Sequence, residues 1–234
     1  MKRASTVATA LVLVWVGAAG AQEEPEAAPG GPSFVGSVTL TTEYILRGIS
    51  QTDEDPAVQG NIDFVAGGFY AGVWASNVEV SEIGLGIETH AEFDLYAGYL
   101  WQGESGFGWE LGAIHYEYPS HEVINYEEYY ASLLYKTFKI RYYYTEDFLG
   151  FGGEGHYIDA KVDIPLGKGF NLGLHVGHSS FADAVGLRDY YDYRGGLGYT
   201  HGAVTFEVAY TDTDENQLGE AEEGRVIGSV ILKM

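Results

Sequence analysis

Cysteine is absent from the 234 residues, which removes disulfide staples, thiolate metal ligands and thiol nucleophiles together. Proline is scarce, with six residues, and no segment past the first twenty holds about 18 consecutive apolar residues, so a membrane-crossing helix is excluded. Positive charge is scarce as well. Twelve Lys and Arg stand against 34 Asp and Glu, for a formal charge of −22. Phosphate binding needs clustered cations, so nucleic acid is not an expected partner. What the chain has in excess is glycine, at 33, and tyrosine, at 19. Aromatics this frequent need somewhere to be buried, which argues against disorder. A barrel with aromatic girdles and glycine turns would account for both excesses.

Lys2 and Arg3, the apolar run Val7 to Val16 and the small residues Ala19-Gly20-Ala21 read as a signal peptide over 1–21. Its removal takes two positive charges and leaves −24. Residues 22–33 are acidic and rich in Pro, Ala and Gly, and read as a solvated periplasmic leader. The remainder, 34–234, reads as one barrel domain.

From Phe34 onward the pattern has period two. Val38, Leu40, Thr42, Tyr44 and Leu46 fall on one face, and Ser37, Thr39, Thr41, Glu43 and Arg47 on the other. The alternation recurs often enough to predict about twelve strands of about ten residues, the length of a tilted membrane-crossing strand. They are placed at Phe34 to Arg47, Ala57 to Ala66, Phe69 to Val78, Gly86 to Trp101, Phe107 to Tyr118 and Asn125 to Tyr135. The rest are Thr137 to Thr145, Tyr157 to Ile164, Phe170 to His178, Tyr190 to Tyr199, Ala203 to Thr211 and Arg225 to Met234. Connections alternate between short and long, as in bacterial barrels with periplasmic turns and outer loops. The fold class expected is all-β, a transmembrane up-and-down antiparallel barrel. A soluble β-sandwich would also alternate, but these strands are long and their wet face is charged.

Arg47-Gly48-Ile49-Ser50-Gln51-Thr52 and Pro56-Ala57-Val58-Gln59-Gly60 resemble the opening motif of the TorF-like porin family of proteobacteria. The resemblance continues through Phe69 to Val78, Glu92 to Tyr99 and Tyr116-Glu117-Tyr118-Pro119, and beyond that mostly by pattern. It implies an outer-membrane, porin-like channel for passive diffusion of small solutes or ions. Outer-membrane lipids, lipopolysaccharide and the barrel-assembly machinery would be its partners. One departure is the ending Ile231-Leu232-Lys233-Met234, where such barrels usually carry an aromatic residue.

On the projected inner face the acids are Glu43, Asp63, Glu88, Glu92, Asp94, Glu110, Glu128, Asp159, Asp163, Asp192 and Glu207. The bases are Arg47, Lys139, Arg141, Lys161, Arg194, Arg225 and Lys233. Glu43, Arg47, Gln59, Asp63, Glu88, Glu92, Asp94, Lys139, Arg141 and Arg194 are the candidate pore lining, with a mild cation preference from the acidic excess. In a barrel of twelve, Lys139 and Arg141 would face Glu43 and Asp63, and Arg194 would face Glu88, Glu92 and Asp94. Plain pairing along the wall is the blander expectation for any one of these charges. Arg47 and Gln51 read equally as part of a constriction or ligand contact, or as a loop cap.

A rival reading is a barrel hydrolase acting on lipid through His178-Ser179-Ser180, with Asp183 or Asp192 orienting the base; the spacing is ordinary for a strand end. A non-conducting structural or adhesion barrel is a third. The seven His are scattered without metal-ligand spacing, and no cofactor or metal is expected. The acidic stretch Asp212 to Glu223 lacks the ligand order of an EF-hand and reads as a solvated loop.

Overall fold

The computed structural model describes residues 31–79, 89–119 and 121–234. The predicted signal peptide, nearly all of the leader, and Glu88 lie outside the described residues. Among the described residues fourteen strands follow in order: β1 (Ser33–Thr41), β2 (Ile45–Leu46), β3 (Ile49–Ser50), β4 (Ala57–Ala66), β5 (Phe69–Asn77), β6 (Ala91–Gln102) and β7 (Phe107–Glu117). Then come β8 (Tyr126–Tyr135), β9 (Phe138–Thr145), β10 (Gly155–Gly167), β11 (Phe170–Phe181), β12 (Tyr190–His201), β13 (Val204–Thr213) and β14 (Arg225–Lys233). Twelve of them close into an antiparallel barrel in which each pairs with its chain neighbours and β1 meets β14. The remaining two, β2 and β3, form a separate hairpin. Closure lets the wall's ladder groups pair within the wall, and the seam is made by Ser37–Thr41 of β1 against Ser229–Lys233 of β14.

Alternation sorts side chains by face, and the sorting is inside-out for water. On β4, Val58, Ile62 and Phe64 point outward and are exposed, while Gln59, Asn61 and Asp63 point into the barrel and are buried. On β9, Phe138, Ile140 and Tyr142 face out, and Lys139, Arg141 and Tyr143 face in. An apolar outer surface around a polar, charged interior is the arrangement that lipid, not water, stabilises. Phe34 against Phe64, Phe69 against Tyr99 and Phe170 against Tyr199 stack on this outer face near the short-turn end, where an aromatic girdle belongs.

The tyrosine excess has a second cause that the sequence reading did not give. Ten of the nineteen tyrosines are buried inside the barrel, so girdles account for fewer than half of them. Several lie flat against the wall over a glycine: a side chain at Gly98 would strike the Tyr70 ring, and one at Gly112 the Tyr130 ring. Glycine here serves close approach as well as turns.

Strand positions follow the sequence expectation to within a few residues, except at the first strand and the start of the fourth expected one. The first strand does not run to Arg47. It ends at Thr41, and the chain then leaves the wall and folds inward as the β2–β3 hairpin. Arg47 and Gly48 form its two-residue turn with φ of 51° and 82°, the doubly positive geometry that suits a tight hairpin. Tyr44 and Leu46 keep the period of β1 while no longer belonging to it. The β6 expectation is shortened too: Thr89 and His90 precede the strand.

Candidate functional site

The inward hairpin sets the site. Tyr44 anchors its base: the ring meets Trp74 edge-on at 5.3 Å, the backbone N–H donates to Thr52 Oγ1 at 3.1 Å, and its carbonyl accepts the Gln51 N–H at 2.8 Å. The Gln51 side chain donates to the Ile49 carbonyl at 3.1 Å, so Gln51 braces the hairpin. Arg47, at the tip, is thereby held in the lumen. Its guanidinium makes a two-pronged contact with Glu128 on β8, Nη1 to Oε1 at 2.9 Å and Nη2 to Oε2 at 2.6 Å. The rings of Tyr143 and Tyr157 lie 4.9 Å and 4.3 Å from its centre. The Glu128 carboxylate is thus the counter-ion of this buried charge. Gln51 thus bonds the hairpin backbone, as a cap does, whereas Arg47 reaches across the lumen.

Among the described residues, cavities run in file from the long-loop end to the short-turn end, and three of them follow one another through shared lining residues. The first lies among the long loops and is lined by Leu46, Arg47, Ile49, Gln51, Tyr118, Ile124, Tyr126, Phe148, Leu149, Leu187, Tyr190 and Leu218. The central one shares Leu46 and Arg47 with it and adds Asp94, Arg141, Tyr143, Tyr157, Asp159, Lys161, His175, Asp192 and Arg194 among others. An inner one shares Lys161, His175 and Arg194 with the central cavity and reaches Asp163, Asn171 and Glu207. The volumes open to the centre of a water molecule are about 60, 50 and 30 Å³ from outer to inner. Each has room for a few waters. Arg47 divides the first pair of cavities, and the Lys161, His175, Arg194 group divides the second.

That second division is an ion-pair cluster. His175 stands between two carboxylates, Nδ1 at 3.3 Å from Asp192 and Nε2 at 3.6 Å from Asp159. Lys161 reaches Asp159 at 3.1 Å, and the Tyr157 hydroxyl donates to Asp192 at 3.0 Å. Arg194 pairs with Glu207 on the adjacent strand. Several buried polar atoms along this file, Asp159 Oδ1, Asp163 Oδ1, Asn171 Nδ2 and Arg194 Nη1, have no protein hydrogen-bond partner among the described residues. Such atoms are costly in a dry interior and ordinary along a wetted one.

The opposite side of the lumen is packed. Glu110 on β7 is fully buried and takes Lys139 Nζ at 2.9 Å, Arg141 Nη2 at 2.5 Å, Ser132 Oγ at 3.1 Å and the Tyr70 hydroxyl. Asp63 accepts the Tyr96 hydroxyl at 2.5 Å and the Asn61 amide. Glu92 lies 3.4 Å from the Tyr44 hydroxyl. Glu43 sits beyond the end of β1 and is reached by Arg225, and Gln59 is buried on the inner face of β4.

Of the predicted lining, Arg47, Asp94, Arg141 and Arg194 therefore meet around the central cavity. Glu43, Gln59, Asp63, Glu92 and Lys139 face inward without lining any of the three cavities. The ion pairs of Lys139 and Arg141 with Glu110, and of Arg194 with Glu207, run along the wall. The central cavity also uses His175, Tyr143 and Tyr157, which the sequence reading did not single out. Their signal was the inward phase of the alternation, His175 between outward Leu174 and Val176.

The hydrolase reading finds no constellation. Ser179 faces inward, whereas the His178 ring lies on Tyr191 at 4.3 Å on the outer face. The neighbouring His156 is bonded through Nδ1 to the Tyr142 hydroxyl at 2.7 Å. Among the described residues no Ser–His hydrogen bond forms, and no group of three His, Asp or Glu side chains is placed to hold a metal.

Residues 26–228 match the family described as "Bacterial protein of unknown function (Gcw_chp)", and the chain belongs to it. That description names no activity and does not carry the TorF-like name. No curated protein matches the sequence. Among solved structures the barrel is similar to the KdgM porin, with a TM-score of 0.59 at 11% identity, covering 85% of this chain and 98% of that one. It is also similar to the NanC porin, with a TM-score of 0.54 at 13% identity, covering 86% and 98%. At such identities the likeness establishes the twelve-stranded barrel fold.

Proposed function

We propose that this protein is a narrow outer-membrane channel for passive diffusion of small solutes or ions, obstructed at its centre by Arg47. The observation that carries the reading is the file of three cavities inside a closed, lipid-suited barrel, with unpartnered polar atoms along it. The shared fold with two porins and the resemblance to TorF-like porins support the same class and an outer-membrane location. Lipid and lipopolysaccharide would then surround the apolar wall, and the barrel-assembly machinery would insert it.

The route favours cations weakly, as the whole-lumen tally does. The central cavity is lined by Arg47, Arg141, Lys161 and Arg194 against Asp94, Asp159 and Asp192. The inner cavity shares Lys161 and Arg194 with it and adds Asp163 and Glu207, so the route carries one extra negative charge and favours cations weakly over anions. Planar-bilayer recording in a salt gradient tests both parts. Discrete channels with a reversal potential of weakly cationic sign are expected, and complete absence of channels at high protein load overturns the reading.

A further inference from the structure

The outermost cavity differs chemically from the two beneath it. Ile49, Ile124, Tyr126, Phe148, Leu149 and Tyr190 dominate its walls, and Arg47 at its floor is the one charged residue lining it among the described residues. Its water-centre volume of about 60 Å³ corresponds to about five waters, or roughly 150 Å³ of liquid, the size of an apolar cavity that accepts a benzene ring. Two of the five guanidinium N–H groups of Arg47 go to Glu128, and among the described residues no protein acceptor meets the other three.

We propose that this cavity binds a small organic anion in which a ring-sized apolar body carries a carboxylate, the body resting on the apolar walls and the carboxylate on Arg47. The inference deepens the channel reading by naming a solute class, and rests on that reading for passage though not for binding. Guanidinium and carboxylate match in geometry, as the Glu128 contact displays in place. A sugar would find few hydrogen-bonding groups here, and an inorganic anion would leave the apolar walls unused. A neutral ring would leave the three free N–H groups without an acceptor.

The test uses the purified barrel in detergent and three probes: phenylacetate, acetate, and 2-phenylethanol as the neutral ring. Calorimetric titration should give saturable phenylacetate binding in the millimolar range or tighter, with both controls weaker by at least about ten-fold. The double variant Arg47→Gln with Glu128→Gln, which leaves no buried charge stranded, should lose the preference for phenylacetate over 2-phenylethanol. Leu149→Glu, in a loop outside the barrel wall, removes apolar wall from both probes and adds a negative charge, so it should weaken phenylacetate more than 2-phenylethanol. Equal binding of phenylacetate and 2-phenylethanol by the unaltered protein, no saturation by phenylacetate, or an unchanged preference in the double variant would overturn the site. Channels in plain potassium chloride without phenylacetate binding would remove this inference and keep the channel. Binding without channels would do the reverse.

Discussion

Glu128→Gln is the perturbation that most directly reads the constriction. Arg47 is held by two charge-assisted hydrogen bonds at 2.9 and 2.6 Å, each worth about 1.5–3 kcal/mol net. An amide of the same size offers one acceptor, whose bond to the charged guanidinium is still worth about 1.5–3 kcal/mol, and faces the guanidinium with an NH₂ where an oxygen stood. The difference is about 2 kcal/mol, while the stacking on Tyr143 and Tyr157 is untouched. An Arg47 side chain swung away from Glu128 should therefore become about 30-fold more populated relative to the bound one. Single-channel recording measures this as the fraction of time spent in the wider state. Arg47→Ala removes the obstruction itself and should give that wider conductance continuously. If Glu128→Gln and the unaltered protein show the same open fraction within about two-fold, the pair does not control the passage and the reasoning fails.

Glu110→Gln should lower unfolding stability by about 3–5 kcal/mol, since it removes the buried carboxylate that Lys139 and Arg141 share, and adding Lys139→Met should restore part of the loss; denaturant titration in detergent checks both. The matching change at exposed Glu127, 3.0 Å from His115, should shift the same titration by less than about 1 kcal/mol. Gly112→Val should displace Tyr130 and lower the yield of folded barrel, read as the mobility difference between heated and unheated samples on a gel; unchanged yield would mean that the glycine is not needed for close approach. Leu111→Arg, at an outward and exposed position in mid-strand, should cost about 2–4 kcal/mol of membrane insertion, whereas a barrel bathed in water would tolerate it.

The wall was legible because a sheet with lipid outside and polar groups inside writes its geometry into the sequence at period two. The alternating short and long connections then fix which end is which. The inward hairpin was not legible for the same reason. Tyr44 and Leu46 continue the alternation of β1, and a strand pattern does not record whether the strand still lies in the wall. The clue was Arg47-Gly48, a doubly positive turn in the middle of what read as one strand. Periodicity also assigns a face without assigning a partner. Lys139 and Arg141 were correctly read as inward, yet their contact with Glu110 depends on the small Ser132 on the intervening strand, which no pattern along a single strand reveals. For tyrosine the composition was informative and its cause was not: the ring has an apolar body for a girdle and a hydroxyl for a buried carboxylate, and only the phase of each position separates the two uses.

A polar lumen needs a reason beyond stability, because buried ion pairs recover their desolvation cost only in part and apolar filling of the same shape is often as good. The surroundings of Glu110 and of the inner cavities answer differently. Around Glu110 the carboxylate and its donors satisfy one another, which is what a packed wall requires. Along β10 to β12 the polar groups are incompletely paired among the described residues, with Asp159, Asp163, Asn171 and Arg194 each keeping an atom without a protein partner beside a cavity. Selection for stability alone would close those gaps with a methyl group. A route that must admit water and charge needs them open, and it needs the opposite side rigid enough that Arg47, reaching across from the hairpin to Glu128, is what narrows it.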